Sequence, residues 1–398
     1  DLRDVTWLAG FDHIDLRSSG DIRMLAPVAS SSRESTLASP GSIDISAARL
    51  YPAAQAKGRI VAGVPAIGPS GLPFWENPEA VLRIHGVAGG ARPAPDSAFG
   101  SLELVAATVV QGGNVQAPWG RVQLGGQEFN SDRASRVDLL AGSVTSISGA
   151  GLTLPFGGTV DGVTWRKAGA EFNVLDPGSV NIPIGVNIVA NAFNGATGSV
   201  VDVSGGGELS GAAFVAGRGG SVDILRHTLA DANPRYGFSH AGNAVDAIVP
   251  ERSDAQAPLA TADDSANPRV GQQITVPAGV PGLPAGTYTL LPASYALQPG
   301  AFRVEIGAES AIGGVQPVST GTGSWRLSGH QGQGFGGAGS PLLTDLLLTP
   351  AETVRRHASY NETPYSAFVQ GVAERRGEAL RWRPMDAGNL SLMLGDGA

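Results

Sequence analysis

Adjacent carboxylates are well suited to holding a cation or trading a proton, and the chain has such a pair at Asp263-Asp264. A calcium or glycosidase site needs carboxylates clustered on one face at a fixed separation. This pair instead sits in a Pro-, Ala- and Ser-rich stretch, with Arg269 as the nearby cation. It reads as solvated loop. A second acidic set, Asp44, Asp138, Asp202 and Asp223, takes outward positions of separate strand-like segments. Stacked in register, these four would form a ladder able to hold cations weakly. The commoner use of such outward charges is to keep a sheet soluble and to block lateral pairing.

The six histidines, His13, His85, His227, His240, His330 and His357, are scattered and contain no His-x-x-x-His pair. No metal site is expected from them. Cysteine is absent, which excludes disulfides, thiolate metal sites and cysteine nucleophiles. There is no Gly-x-Ser-x-Gly elbow, and Gly205-Gly206-Gly207 lacks the Gly-Lys-Ser/Thr that completes a phosphate loop. The six tryptophans are Trp7, Trp75, Trp119, Trp165, Trp325 and Trp382. Of these, Trp75 and Trp119 lie in Pro-bearing loops where an indole could serve as a sugar platform, although packing is its more usual role. No catalytic, cofactor or metal residue is assigned. Ligand-binding residues stay open, and the chain reads as a protein without enzymatic activity.

What the sequence does supply is a repeated element. Gly, a polar residue, then two aliphatics flanking one outward residue recur at Gly20–Met24, Gly41–Ile45, Gly100–Leu104, Gly120–Leu124, Gly178–Ile182, Gly198–Val203, Gly220–Ile224 and Gly388–Leu392. Where copies follow directly, as from Gly100 to Gly120, the interval is about twenty residues, in the range of solenoid repeats. The apolar period inside the unit is two, so each copy is a strand with one buried face. The leading glycine suits a corner. Arg59–Ala62, Val81–Ile84, Ala107–Val110 and Gly185–Val189 are further strand candidates. The Pro- and Gly-rich stretches 63–78 and 89–98 read as protruding loops.

A leucine-rich repeat shares this period, but its Leu-x-x-Leu-x-Leu frame is missing. A sandwich would space its strands at roughly 8–12 residues without a common register. The pattern predicts an all-β fold, a right-handed parallel β-helix with an inserted, partly α-helical module near the C-terminus.

Composition agrees with this. The chain has 398 residues, 57 of them Gly and 27 Pro, and charged residues make up only 16%. It therefore reads as folded and rich in strands and turns rather than as a helical globule. A net charge of −8 argues against nucleic acid as a partner, because phosphate neutralisation needs a basic stripe. Arg355-Arg356 and Arg375-Arg376, with Arg381 and Arg383, have acidic neighbours and read as a solvated helix face. The apolar run Pro341–Leu348 is short and carries Asp345, so no membrane span is expected. Strand-like pattern at both Asp1 and Leu394 suggests a piece of a longer chain.

The repeat falters after Leu225. Residues 1–225 are read as β-helix coils with protruding loops, 226–383 as an inserted module, and 384–398 as a return to the coil. In the module, Ala255–Arg269 reads as loop and Gly329–Gly339 as flexible. Thr287–Leu291 and Phe302–Ile306 read as a strand pair. Thr349-Pro350-Ala351-Glu352 has the form of a capping box opening one helix. Thr363-Pro364 opens a second, through about Arg376.

Gly205–Leu209, Gly217–Ser221, Leu283–Ala293, Tyr295–Val304 and Met385–Leu390 together resemble the filamentous-haemagglutinin-like exoproteins of bacterial two-partner secretion systems, in their C-terminal associated region. The resemblance spans roughly residues 175–398; the N-terminal part shares only the coil repeat. It implies a shaft exported through an outer-membrane two-partner-secretion transporter and held at, or shed from, the bacterial surface. The expected function is adhesion: a secreted shaft presenting loops and a module to a host-cell or matrix receptor or glycan. Two alternatives stay open, a polysaccharide-binding or polysaccharide-degrading β-helix and the carrier segment of a contact-dependent toxin.

Overall fold

The computed structural model describes residues 1–27, 34–67, 73–87, 94–126, 134–167, 169–172, 184–217, 220–251, 268, 271–310, 314–333 and 339–395. Strand outweighs helix 48% to 9%, which makes this a mostly β protein. It divides into two compact units, one of Asp1–Thr153, Leu175–Glu208 and Trp382–Ala398, the other of Leu154–Val174 and Leu209–Arg381. The second unit thus takes in a short segment from before residue 175 and begins at Leu209, whereas the sequence pattern placed a module at 226–383.

The first unit is built from parallel strands whose side chains alternate in and out. In one stack, Val5–Trp7, Glu34–Ser39, Lys57–Ala62, Ser101–Val105, Arg121–Gly125, Gly185–Gly195 and Asn389–Leu394 pair in that order. In a second stack, His13–Arg17, Ser42–Ala47, Val81–Gly86, Thr108–Gly112, Ala134–Leu139 and the far half of Gly185–Gly195 pair likewise. That long strand pairs with Arg121–Gly125 through Gly185–Val189 and with Ala134–Leu139 through Ala190–Gly195, joining both stacks into one large parallel sheet. A third, separate stack consists of Ile22–Met24, Leu50–Pro52, Asn114–Gln116, Val144–Ser146 and Val200–Asp202.

Register explains why these segments stack. Leu37, Ile60, Leu104, Leu124 and Ile188 stand directly opposite one another on successive strands, and each is at most 2% exposed. On the second stack, Ile43, Leu82, Val109 and Val137 form the matching column. All belong to one hydrophobic cluster that also holds Ile22, Met24, Leu50 and Val115 of the third stack. Each such side chain contributes roughly 1.5–3 kcal/mol by leaving water. A one-residue slip would turn a whole column outward, so the register is strongly specified.

The Gly-led unit does not mark one corner throughout. Gly100, Gly120 and Gly388 precede strands of the first stack, Gly41 a strand of the second, and Gly20 and Gly198 strands of the third. The shared feature is the strand alternation, not the corner. At one place the glycine is obligatory: a Cβ on Gly120 would lie 1.9 Å from the Gly100 carbonyl oxygen, so two coil corners touch backbone to backbone. The copy at 178–182 lies outside the described residues. Ser221–Ile224 forms no strand; Ile224 is instead buried in a core cluster of the second unit.

The second unit centres on a sheet whose strands pair antiparallel, in the order Gly286–Thr289, Gln272–Val276, Trp325–Gln333, Leu343–Pro350, Phe302–Ser310, Ala244–Ile248 and Leu291–Pro292. The expected pairing of the 287–291 and 302–306 segments does not form: Gly286–Thr289 pairs with Gln272–Val276, while Phe302–Ser310 pairs with Ala244–Ile248 and Leu343–Pro350. Helix Ala351–His357 has Pro350 as its cap and makes no side-chain capping bond. Thr349 remains in the preceding strand, facing Ser324 Oγ at 2.9 Å, and so cannot act as the cap. Helix Tyr365–Arg376 starts after Pro364 as expected and stops at Gly377 in a left-handed conformation, φ +64°. The short helix Leu229–Ala232, capped by Thr228 and Asp231, was not expected from the sequence.

Candidate functional site

Alternation along a strand puts every second side chain outside, and parallel register then lines those side chains up across strands. On the first stack this produces a charged groove of about 210 Å³, lined by Glu34, Lys57, Arg59, Ser101, Glu103 and Arg121. Glu34 stands opposite Lys57, Lys57 opposite Ser101, and Ser101 opposite Arg121. Arg59 and Glu103 face each other in the adjoining row, with Nε and Oε2 3.8 Å apart. Arg121 is 9% exposed and donates to Gln123 Oε1 at 2.6 Å. With the Asn187 amide turned so that both its ends are satisfied, Asn187 Oδ1 accepts from Arg121 Nε and Nη2 at 3.1 and 3.0 Å. Gln123 and Asn187 are thus among the groups that hold the guanidinium in place. Such a groove can take up an oxyanion and also accept hydrogen bonds from hydroxyls.

None of these six was singled out in the sequence. The readable signal was the outward position of each strand, where Glu34, Lys57, Arg59, Glu103 and Arg121 place charge beside the buried aliphatics.

The four aspartates that would form a ladder if stacked in register do not stack. Asp44 stands between Asp15 and Arg83, Asp138 between Val110 and Asn194, and Asp202 opposite Ser146. Asp223 lies in the second unit and accepts from Tyr360 Oη at 2.8 Å. The registers that bury the aliphatic columns separate these aspartates, so no acidic ladder forms.

Folding does gather two histidines. His13 Nε2 lies 3.7 Å and His85 Nε2 4.0 Å from Asp44 Oδ2. His13 sits two positions before Asp15 on one neighbouring strand, and His85 two positions after Arg83 on the other, so the rings reach Asp44 from opposite diagonals. Among the described residues, no group of three or more His, Asp or Glu side chains is placed to hold a metal ion. Asp263-Asp264 lies outside the described residues.

Of the two loop tryptophans, Trp119 is buried at 1% exposure, which rules it out as a sugar platform. Trp75 is half-buried and packs against Ala38, Val61 and Val105. Trp165 is buried as well, against Tyr365 and Phe368. Arg355, in the helix Ala351–His357, pairs with Glu362; Arg381 and Arg383 lie beyond the last helix rather than on a helix face, and pair with Glu378 and Asp386.

The second unit holds a buried polar cluster. Arg303 and Glu305 are both inaccessible to solvent, with Nη1 and Oε1 2.8 Å apart. That Nη1 makes no aligned hydrogen bond, so the contact is one of charge rather than a directed bond. Arg303 also donates to the carbonyls of Ile224 and His227, and Glu305 accepts from Leu229 N and Ser239 Oγ. His357 Nδ1 lies 2.9 Å from Tyr236 Oη; burial, then the charge of Arg303, lowers the imidazole pKa below its usual value. Burial raises Asp246 from 3.8 to about 7. Arg303, Glu305 and His357 thereby hold the segment around residues 223–243 through Ile224, His227, Leu229, Tyr236 and Ser239.

No family model, curated protein or solved structure matches the chain. Among the described residues, no helix is long and apolar enough to cross a membrane. Fold and groove define a class, a mostly β protein with a large parallel sheet and a charged outer strand face.

Proposed function

We propose that the first unit is a right-handed parallel β-helix and that the chain is a shaft segment of a secreted, filamentous-haemagglutinin-like surface exoprotein. Its work is attachment rather than catalysis. One observation carries the reading: the column Leu37, Ile60, Leu104, Leu124, Ile188 stays in register although long stretches of chain leave and rejoin the stack between its members. A coil built this way lengthens without a wider core, and each coil rests only on its neighbours. Intervening segments can then vary freely while the shaft stays rigid, which is what a display scaffold requires. Export through an outer-membrane two-partner-secretion transporter, and a receptor on host cells or matrix, belong to this proposal on the strength of the sequence resemblance.

The test is attachment by the purified chain. Beads coated with it should adhere to cultured epithelial cells or to extracellular matrix above albumin-coated beads, and soluble chain should compete. A chain shown to be folded by circular dichroism that adheres to neither surface contradicts the proposal. A second reading, a polysaccharide-binding protein of the same architecture, is favoured by the charged groove.

A further inference from the structure

The groove on the first stack combines three cations with two carboxylates and one hydroxyl, and we propose that it binds a carboxylate-bearing sugar of the uronic acid type. The groove lies on the strand face itself rather than on the loops and module that the attachment reading puts forward. It therefore stands or falls separately from that reading.

Charge is the first argument. The whole chain carries −8, yet Lys57, Arg59 and Arg121 outnumber Glu34 and Glu103 in the groove. A local reversal of sign in a concave site concentrates anions there. Position is the second. Arg59 Nε is buried and makes no hydrogen bond, and its carboxylate neighbour Glu103 Oε2, at 3.8 Å, lies beyond hydrogen-bonding reach. That Nε is closed to solvent, so an incoming oxyanion would meet the two terminal nitrogens of the Arg59 guanidinium, whose side chain is 26% exposed. Arg121 is already immobilised by Gln123 and Asn187, and Gln123 is itself fixed by donating to the Gly126 carbonyl at 2.5 Å. Binding there would order little that is not already ordered.

Size and lining narrow the ligand. At about 210 Å³ the groove is smaller than the roughly 300–1,000 Å³ of drug-sized sites, so it accommodates one compact unit. Its lining side chains include no aromatic or aliphatic group on which a neutral sugar ring could stack. Recognition must then be polar. A carboxylate would accept from Arg59, Lys57 and Arg121, while ring hydroxyls would donate to Glu34 and Glu103 and accept from Ser101. Inorganic phosphate has no sugar ring to set hydroxyls apart from its charged oxygens, and neutral sugars lack the carboxylate, so an acidic sugar is the class that uses both halves of the site.

Calorimetric titration of the full chain with sodium glucuronate, glucose and inorganic phosphate tests this. The expected result is saturable glucuronate binding that weakens as salt is added. Glucose and phosphate should bind at least tenfold more weakly. Lys57→Gln and Arg59→Gln, each checked for an unchanged circular dichroism spectrum, should weaken glucuronate at least fivefold, and Arg136→Gln on the second stack should not. Absence of saturable glucuronate binding overturns the proposal, as does equal binding of glucose or phosphate, or folded variants that bind as the parent does.

Discussion

Trp119 Nε1 donates to the carbonyl of Pro384 at 3.1 Å although 265 positions separate the two residues. The same indole N–H also reaches the Gly206 carbonyl at 3.0 Å. One ring thus ties together the three separate stretches of chain that make up the first unit. Room for it comes from small neighbours: a Cβ on Gly149 would lie 2.2 Å from the indole. Trp119 itself sits at φ +49°, a left-handed conformation that tertiary packing must hold.

Replacing Trp119 therefore tests whether the returning segment is anchored. Trp119→Ala should cost about 3–5 kcal/mol, and Trp119→Phe about 1–3 kcal/mol through the Gly206 carbonyl that loses the indole donor, the Pro384 carbonyl keeping the Gly206 N–H. Urea unfolding followed by circular dichroism measures both. A loss below about 1 kcal/mol for the alanine variant would show that the ring is not an anchor.

Gly120 offers a sharper test of coil contact. Because its Cβ would fall 1.9 Å from the Gly100 oxygen, Gly120→Ala must push two coils apart. A loss on the order of 2–4 kcal/mol is expected, well above the effect of an alanine at an unstrained surface glycine. Gly142→Ala is a poor control because Gly142 has φ +80°. Gly20→Ala is a fair one, with nothing near its Cβ and no left-handed φ.

The buried pair Arg303 and Glu305 should be strongly coupled. Removing one partner strands the other charge away from water, at about 3–5 kcal/mol. Arg303→Met and Glu305→Met should each cost that much in urea unfolding, and the double variant markedly less than their sum. Additive losses would contradict a mutual pair.

Asp246 and His357 should respond to pH with opposite signs. The Asp246 pKa is raised on folding, so its contribution to stability is fully present below 3.8 and is lost as pH rises through about 7. Asp246→Asn should then stabilise the chain at pH 8, by an amount on the order of a few kcal/mol that shrinks toward pH 4. The His357 pKa is lowered on folding, so the unfolded chain takes up that proton first and stability falls as pH drops below about 6.5. His357→Asn should flatten the decline in melting temperature between pH 7.5 and pH 5. Parallel pH profiles for parent and variants would contradict both assignments.

The strands of the first unit were legible because a buried face imposes a period of two that short sequences display openly. Ile43 with Ile45 and Leu102 with Leu104 could be read directly. The stacking partners could not. Gln123 faces Asn187, and nothing in either residue records that a long excursion separates the two strands. The glycines misled for a related reason, since a corner glycine looks alike on any of three stacks. In the second unit the strand ends were readable at Phe302 and Thr287, but antiparallel partners were assigned by proximity in sequence. The fold chose partners that bury Val304 and Leu348 together instead. The charged groove was invisible because its residues come from four strands and acquire meaning only in register.

Register is the claim on which the rest depends, and the absence of native cysteine makes it directly measurable. Glu103 and Gln123 stand opposite each other on neighbouring parallel strands, within the span a disulfide bridges. The double variant Glu103→Cys, Gln123→Cys should oxidise to an intramolecular disulfide, seen as a two-dalton mass loss per chain, roughly one hydrogen per thiol. Glu103→Cys paired with Val110→Cys, whose strand belongs to the other stack, should stay reduced under the same oxidant. Ready cross-linking of the mismatched pair, or none in the matched one, would contradict the stacked coil.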